Sequence, residues 1–208
     1  MRRFFCLFFS AFMVFAVFIA SLTKAEEPVN AGPQWETAIF AGGCFWCMEP
    51  AFEKLPGVKE AVAGYTGGKT SNPTYEEVSA GRTGHAEAVA VVYDPSQVSY
   101  SDLLFVFWRS INPTQVNRQF ADAGTQYRTA IFYRNDEEKR LAEASKHELE
   151  ASGRYAGKPI VTEITPASTF YPAEEYHQDY YKKNAAHYKA YRIGSGREGY
   201  LQKMWGGH

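Results

Sequence analysis

The chain has 208 residues, 45% hydrophobic, 22% charged and 16% aromatic, with a formal net charge of −1. That is an ordinary globular composition, long enough for one domain with a substantial core. With no basic excess, a nucleic-acid partner is not expected.

Residues 1–25 read as a secretory signal. Arg2 and Arg3 form the n-region, Phe4 to Leu22 carries no charge, and Thr23-Lys24-Ala25 offers a small-residue cleavage site before Glu26. The alternative is an uncleaved anchor, because this run approaches the ~20 residues that span a bilayer. Either reading places the rest of the chain outside the cytoplasm, in the periplasm or anchored facing it. Residues 26–35, with Pro28, Gly32 and Pro33, are expected to form a flexible lead-in, and 36–208 the folded domain.

Thr37 to Ala41 is a short apolar strand that ends in Gly42-Gly43. A helix follows from Phe45 to Leu55, stopped by Pro56-Gly57. Val58 to Tyr65 is a second strand, closed by Thr66-Gly67-Gly68, and a turn of helix covers Tyr75 to Ser79. His85 to Tyr93 alternates around Val89, Val91 and Tyr93 as a third strand stopped by Asp94-Pro95. Ser99 or Ser101 caps an apolar helix through Trp108 that ends near Asn112-Pro113. Tyr127 to Tyr133 is a strand, Asp136 to Ser152 a polar surface helix, and Ile160 to Thr165 another strand. Glu174 to Tyr191 reads as one tyrosine-rich helical segment, before a Gly-rich tail. The order β-α-β-β-α-β with later additions is an α+β, ferredoxin-like split β-α-β sandwich with C-terminal additions.

Outside the leader, which holds Cys6, the cysteines are Cys44 and Cys47, at a strand-to-helix junction. Two thiols at i and i+3 at a helix start can approach to disulfide distance. The unpaired N–H groups there favour a thiolate. A structural disulfide is the common fate of an exported pair, but a loop this short removes little chain entropy. Redox chemistry explains the spacing better. Phe45 and Trp46 between the thiols suggest an apolar substrate group.

Other candidates have plainer readings beside them. Glu87 starts an apolar strand, where it is either an acid beside the thiols or a solvent-facing residue of the alternation. Tyr75 and Tyr127 are site hydroxyls or rim aromatics. Asp122 is a pocket acid or a turn residue. His85, His147, His177 and His187 have no metal-ligand spacing, so no metal site is expected.

Six ordered motifs narrow these alternatives: Gly42-Gly43-Cys44-Phe45-Trp46, Gly64-Tyr65-Thr66-Gly67-Gly68, Asn72-Pro73-Thr74-Tyr75, Gly84-His85-Ala86-Glu87, Gly124-Thr125-Gln126-Tyr127-Arg128 and Ala173 to Tyr180. Together they resemble the A-type peptide methionine sulfoxide reductases, which act on the S epimer of the sulfoxide, over about residues 36–191. The resemblance implies Cys44 as nucleophile and Glu87 as proton donor to the sulfoxide oxygen. It implies Phe45 and Trp46 as the pocket for the substrate methyl, and Tyr75, Tyr127 and Asp122 as its polar wall. No prosthetic cofactor is implied. The reductant is an external thioredoxin-like thiol donor, the substrates are oxidised proteins or free methionine sulfoxide, and the chain is expected to be a monomer. Many members keep resolving cysteines in the C-terminal tail, and this tail has none. Cys47 is therefore expected to resolve the Cys44 sulfenic acid. A general thiol–disulfide oxidoreductase and a secreted aromatic binding domain are the competing classes.

Overall fold

A computed structural model describes residues 34–206. The expected leader lies outside the described residues. Among these, no helix is long and apolar enough to cross a membrane.

Four strands form the centre of one sheet: β1 (Glu36–Gly42), β2 (Val58–Thr66), β3 (Ala86–Tyr93) and β6 (Thr129–Tyr133). Their order is β6-β1-β3-β2, with every neighbouring pair antiparallel. β1 and β2 thus run parallel with β3 inserted between them, which is the split β-α-β arrangement expected from the element order. The additions extend both edges. β7 (Glu163–Pro166) pairs parallel with β6, and β8 (Tyr171–Pro172) pairs antiparallel with β2. A two-stranded ribbon, β4 (Arg118–Gln119) with β5 (Asp122–Ala123), stands apart and is followed by a 3₁₀ turn at Thr125–Tyr127.

The alternation of β3 decides what each face of the sheet carries. Val89, Val91 and Tyr93 point into the larger core with Ala38 and Phe40 of β1. There they meet α1 (Phe45–Phe52) and α3 (Tyr100–Ser110), through Met48, Phe52, Leu103 and Phe107. Phe40 stacks between Phe52 and Phe107, with ring centroids 5.1 and 5.3 Å away. Burying one such ring contributes about 2–3 kcal/mol. The other face is small-residue packing around Ala41, Ala86, Ala88, Ala90 and Ala130, covered by Ala167 and Phe170.

Helix ends follow the sequence closely. Ser99 and Asp102 form a capping box on α3, and Thr74 with Glu77 forms another on α2 (Tyr75–Ser79). Asn135 caps α4 (Asp136–Ala151) by accepting from the Glu138 N–H.

The C-terminal region departs from expectation. The single helix over 174–191 is instead a turn at 174–179, a short α5 (Tyr180–Lys183) and α6 (Ala185–Gly194). The breaks fall at Asp179, with φ 54°, and at Asn184. The Gly-rich tail is also helical, as α7 (Arg197–Trp205). The expected strand over 160–165 begins only at Glu163 and runs to Pro166.

Candidate active site

β1 delivers the chain to Cys44 through a turn that only glycine makes easily. Gly43 has φ +81°, and a Cβ there would lie 2.5 Å from the Cβ of Gln119 and 3.0 Å from Nη2 of Arg197. Gly43→Ala is therefore expected to destabilise the fold by about 2 kcal/mol or more, from backbone strain plus overpacking. A urea titration would read this as a lower midpoint, and an unchanged midpoint would show that the turn relaxes freely.

Cys44 is the N-cap of α1 and Cys47 lies in its first turn, the Cys47 N–H donating to the Cys44 carbonyl at 3.0 Å. Both thiols are free and buried. They are hydrogen-bonded to each other, and their environments pull them apart. Burial pushes the Cys44 thiol well above the usual range, helped by its bond to Cys47 and by the neighbouring Glu87. The hydrogen bond from Cys44, with Arg197 and Arg192 nearby, lowers Cys47 to about 7. The pair thus loses its first proton from Cys47, with Cys44 as the S–H donor.

Glu87 is not on the solvent face. It falls in phase with Val89 and Val91 on the helix-covered face of β3, opposite Tyr65 in the register with β2, and is 2% exposed. Its Oε2 accepts from the Phe45 N–H at 3.2 Å, one residue beyond Cys44, and Tyr127 donates to the same carboxyl. Burial outweighs these bonds and raises Glu87 to about 8, so the buried carboxyl is neutral at pH 7.

The remaining expected residues converge on the same place. Tyr75 starts α2, its N–H held by Glu174 Oε1 at 2.9 Å, while Glu174 Oε2 takes the Tyr65 hydroxyl at 2.8 Å. The Tyr75 hydroxyl is raised to about 12, by burial first and then by Glu87 and Cys44. Tyr127 ends the 3₁₀ turn and is raised by burial and by Glu87. Asp122, in β5, accepts from the Tyr191 hydroxyl.

Phe45 and Trp46 make the aromatic wall. Phe45 is fully buried against Tyr65 and His177, at 6.0 and 4.9 Å between centroids. Trp46 lies flat on Tyr180, at 3.7 Å and 7°, and donates its indole N–H to His177 Nδ1 at 3.1 Å. Glu49 steadies this wall from α1, since its Oε1 accepts the Asp179 N–H at 3.2 Å.

A thiol pair, a buried acid bonded beside it and an aromatic wall are what thiol attack on an acid-activated centre needs. The sequence model described as "Peptide methionine sulfoxide reductase" matches residues 36–208. This chain belongs to that family. It is an oxidoreductase, a peptide-methionine (S)-S-oxide reductase. A peptide methionine sulfoxide reductase MsrA of Listeria monocytogenes is 54% identical over 172 residues, covering 83% of this chain and 97% of that protein. The one from Bacillus velezensis is 55% identical over 170 residues, covering 82% and 96%. Among solved structures, the reduced form of Mxr1 from Saccharomyces cerevisiae is similar at TM-score 0.68 and 33% identity, covering 73% of this chain and 86% of that one. Methionine sulfoxide reductase A of Corynebacterium diphtheriae gives 0.67 and 39%, covering 76% and 78%.

Three residues of the reductase escaped the sequence reading. Tyr191 of α6 donates its hydroxyl to Asp122 and lies beside Cys44. His177 belongs to the Ala173–Tyr180 motif, which gives it no role of its own, and it holds Trp46 by accepting the indole N–H. Arg197 of α7 is 1% exposed and donates to the carbonyls of Gly42, at 2.9 Å, and Ser110, at 2.7 Å. The His177 role had a signal in the Tyr-His-Gln-Asp-Tyr run, whereas Arg197 had none. Among the described residues, no group of three His, Cys, Asp or Glu side chains could hold a metal.

Proposed function

We propose that this reductase returns the S epimer of methionine sulfoxide to methionine with Cys44 as nucleophile, Glu87 as acid and Cys47 as resolving thiol. The observation that carries the reading is the neutral, buried Glu87 carboxyl bonded to the residue next to Cys44. A sulfoxide sulfur is a poor electrophile until its oxygen is protonated, so a proton donor at the nucleophile is what the reaction requires.

The substrate methyl sits against Phe45 and Trp46, and the sulfoxide oxygen lies among Glu87, Tyr75 and Tyr127. Asp122 acts through Tyr191 on the wall of the same pocket. Cys44 passes its proton along the existing bond to Cys47 as its sulfur attacks, while Glu87 protonates the oxygen. The hydroxyl then passes from the methionine sulfur to the Cys44 sulfur, as the S–O bond to methionine and the transient S–S bond break with an electron pair left on methionine; methionine leaves and Cys44 is a sulfenic acid. Cys47 then loses its proton and its thiolate attacks the Cys44 sulfur. The hydroxyl departs with a proton as water, and a disulfide remains. An external thioredoxin-like dithiol reduces that disulfide by exchange and is itself oxidised. No prosthetic group takes part in this sequence.

The test is an assay on separated epimers. Free or peptide-bound S-sulfoxide should be consumed and the R epimer left, and Cys44→Ser should release no methionine. Equal turnover of both epimers, or insulin-disulfide reduction without sulfoxide turnover, would reject the reading.

Export belongs to the same proposal, supported by the Arg2-Arg3 start and the uncharged run to Leu22. In a bacterial host the chain should then fractionate with the periplasm or the membrane, and the reductant must act outside the cytoplasm. Recovery of the full-length chain in the cytosolic fraction would overturn export.

A further inference from the structure

Arg197 is a buried cation that the catalytic scheme above leaves unused. Its guanidinium is spread between the Gly42 and Ser110 carbonyls, the sulfur of Met48 at 3.8 Å and the face of Phe120 at 4.7 Å. Among the described residues, no carboxylate lies within ion-pair distance of it. Arg192, its neighbour on α6, is by contrast paired with Glu198. A buried guanidinium that meets only neutral acceptors is costly, and a nearby anion offsets that cost. An ionisable group that Arg197 acts on is Cys47, one residue before Met48 in α1.

We propose that Arg197, carried on the tail helix α7, is the counter-cation of Cys47 and holds it as the thiolate that closes the disulfide. The proposal rests on the reading of Cys47 as the resolving thiol. It also gives the cysteine-free tail a role: it supplies a charge for the resolving thiol in place of the thiol itself. The groups that face Cys47 are Cys44, Arg197, Arg192, Asp122 and Tyr188, with Glu87 nearby. Cys44 donates a hydrogen bond, and the two arginines favour the anion. Asp122 opposes it, as Glu87 does when ionised. Burial also opposes the anion, so without Arg197 the balance moves toward the neutral thiol. In closure, the Cys47 thiolate supplies the electron pair of the new S–S bond. The Cys44 S–O bond breaks, and the departing hydroxyl takes one proton to become water.

The experiment reads the thiolate directly by absorbance at 240 nm during a pH titration. Cys44→Ser chains carry Arg197, Gln or Lys at position 197, and serine keeps a hydroxyl to donate to Cys47. With Arg197 in place the midpoint should fall below the ordinary thiol value of about 8.5. Arg197→Gln should raise it by about one unit, and Arg197→Lys should recover most of that rise. In the otherwise unaltered enzyme, Arg197→Gln should slow disulfide closure near pH 7 about fivefold, with the loss relieved as pH rises. Equal midpoints for Arg, Lys and Gln, or equal shifts for Lys and Gln, would overturn the proposal and leave Arg197 as a packing residue. If the Gln chain does not fold, a midpoint at or above 8.5 in the chain that keeps Arg197 overturns it alone. Peptide mapping of the unaltered enzyme after one turnover separates the two readings. Absence of a Cys44–Cys47 disulfide there would reject Cys47 as resolver, independently of Arg197.

Discussion

Glu87→Gln lowers the rate of sulfoxide reduction by about 10²–10⁴-fold at neutral pH, the usual contribution of a positioned general acid. The amide still has an oxygen to accept the Phe45 N–H, so the start of α1 and the fold are retained. What it lacks is an acidic proton. The pH dependence gives a sharper reading than the size of the loss. Burial raises Glu87 to about 8, above the ordinary carboxyl, so the proton-donating form is present below that pH. It is lost as pH rises through 8. Ionised Glu87 also pushes the Cys44 thiol further up, which adds to the loss on the alkaline side. The unaltered enzyme should therefore decline above about pH 8, and Glu87→Gln should lose that decline along with most of its rate. Single-turnover methionine release across this range is the measurement. Near-native release by the glutamine variant would remove Glu87 from the proton-donating role.

The parts legible in the sequence are those specified by local chemistry. Capping boxes at Thr74–Glu77 and Ser99–Asp102 set the starts of α2 and α3. The alternation through Val89, Val91 and Tyr93 fixed the phase of β3, and extending it back to Glu87 could have placed that carboxyl on the covered face. Pattern alone left the choice even, because an isolated acid at a strand start fits either side. The C-terminal region was harder for a physical reason. Tyrosines at 176, 180, 181, 188 and 191 suggest one continuous face, yet the chain is interrupted by left-handed backbone at Asp179. That break lets the turn carry His177 to Trp46. The helix α7 begins after Gly196 and contains Gly199, a sequence with weak intrinsic helical preference. Long-range packing holds it: Tyr200 and Met204 rest against the main core, and Arg197 reaches the Gly42 carbonyl 155 residues earlier. Contacts at that separation leave no trace in a local window.

Cys47→Ser should leave a single productive event. About one equivalent of methionine is released, after which Cys44 remains a sulfenic acid that dimedone traps, and thioredoxin-driven cycling collapses. The first event survives because the substitution removes the Cys47 charge that raises the Cys44 thiol, while the serine hydroxyl can still accept from Cys44 and pass its proton on. The cycle stops because Cys44 and Cys47 are the two cysteines among the described residues, so no other thiol there can reach the oxidised sulfur. Their spacing across the first turn of α1, with Cys44 at the cap, meets disulfide geometry after a small local adjustment. Cys44→Ser is expected to abolish the first event as well. The decisive comparison is steady-state turnover with a thioredoxin-like donor against single-turnover methionine release in the same preparation. If Cys47→Ser cycles at the unaltered rate, an external thiol resolves the sulfenic acid directly. The intramolecular disulfide is then off the catalytic path, and the Cys47 thiolate serves only to accept the proton from Cys44.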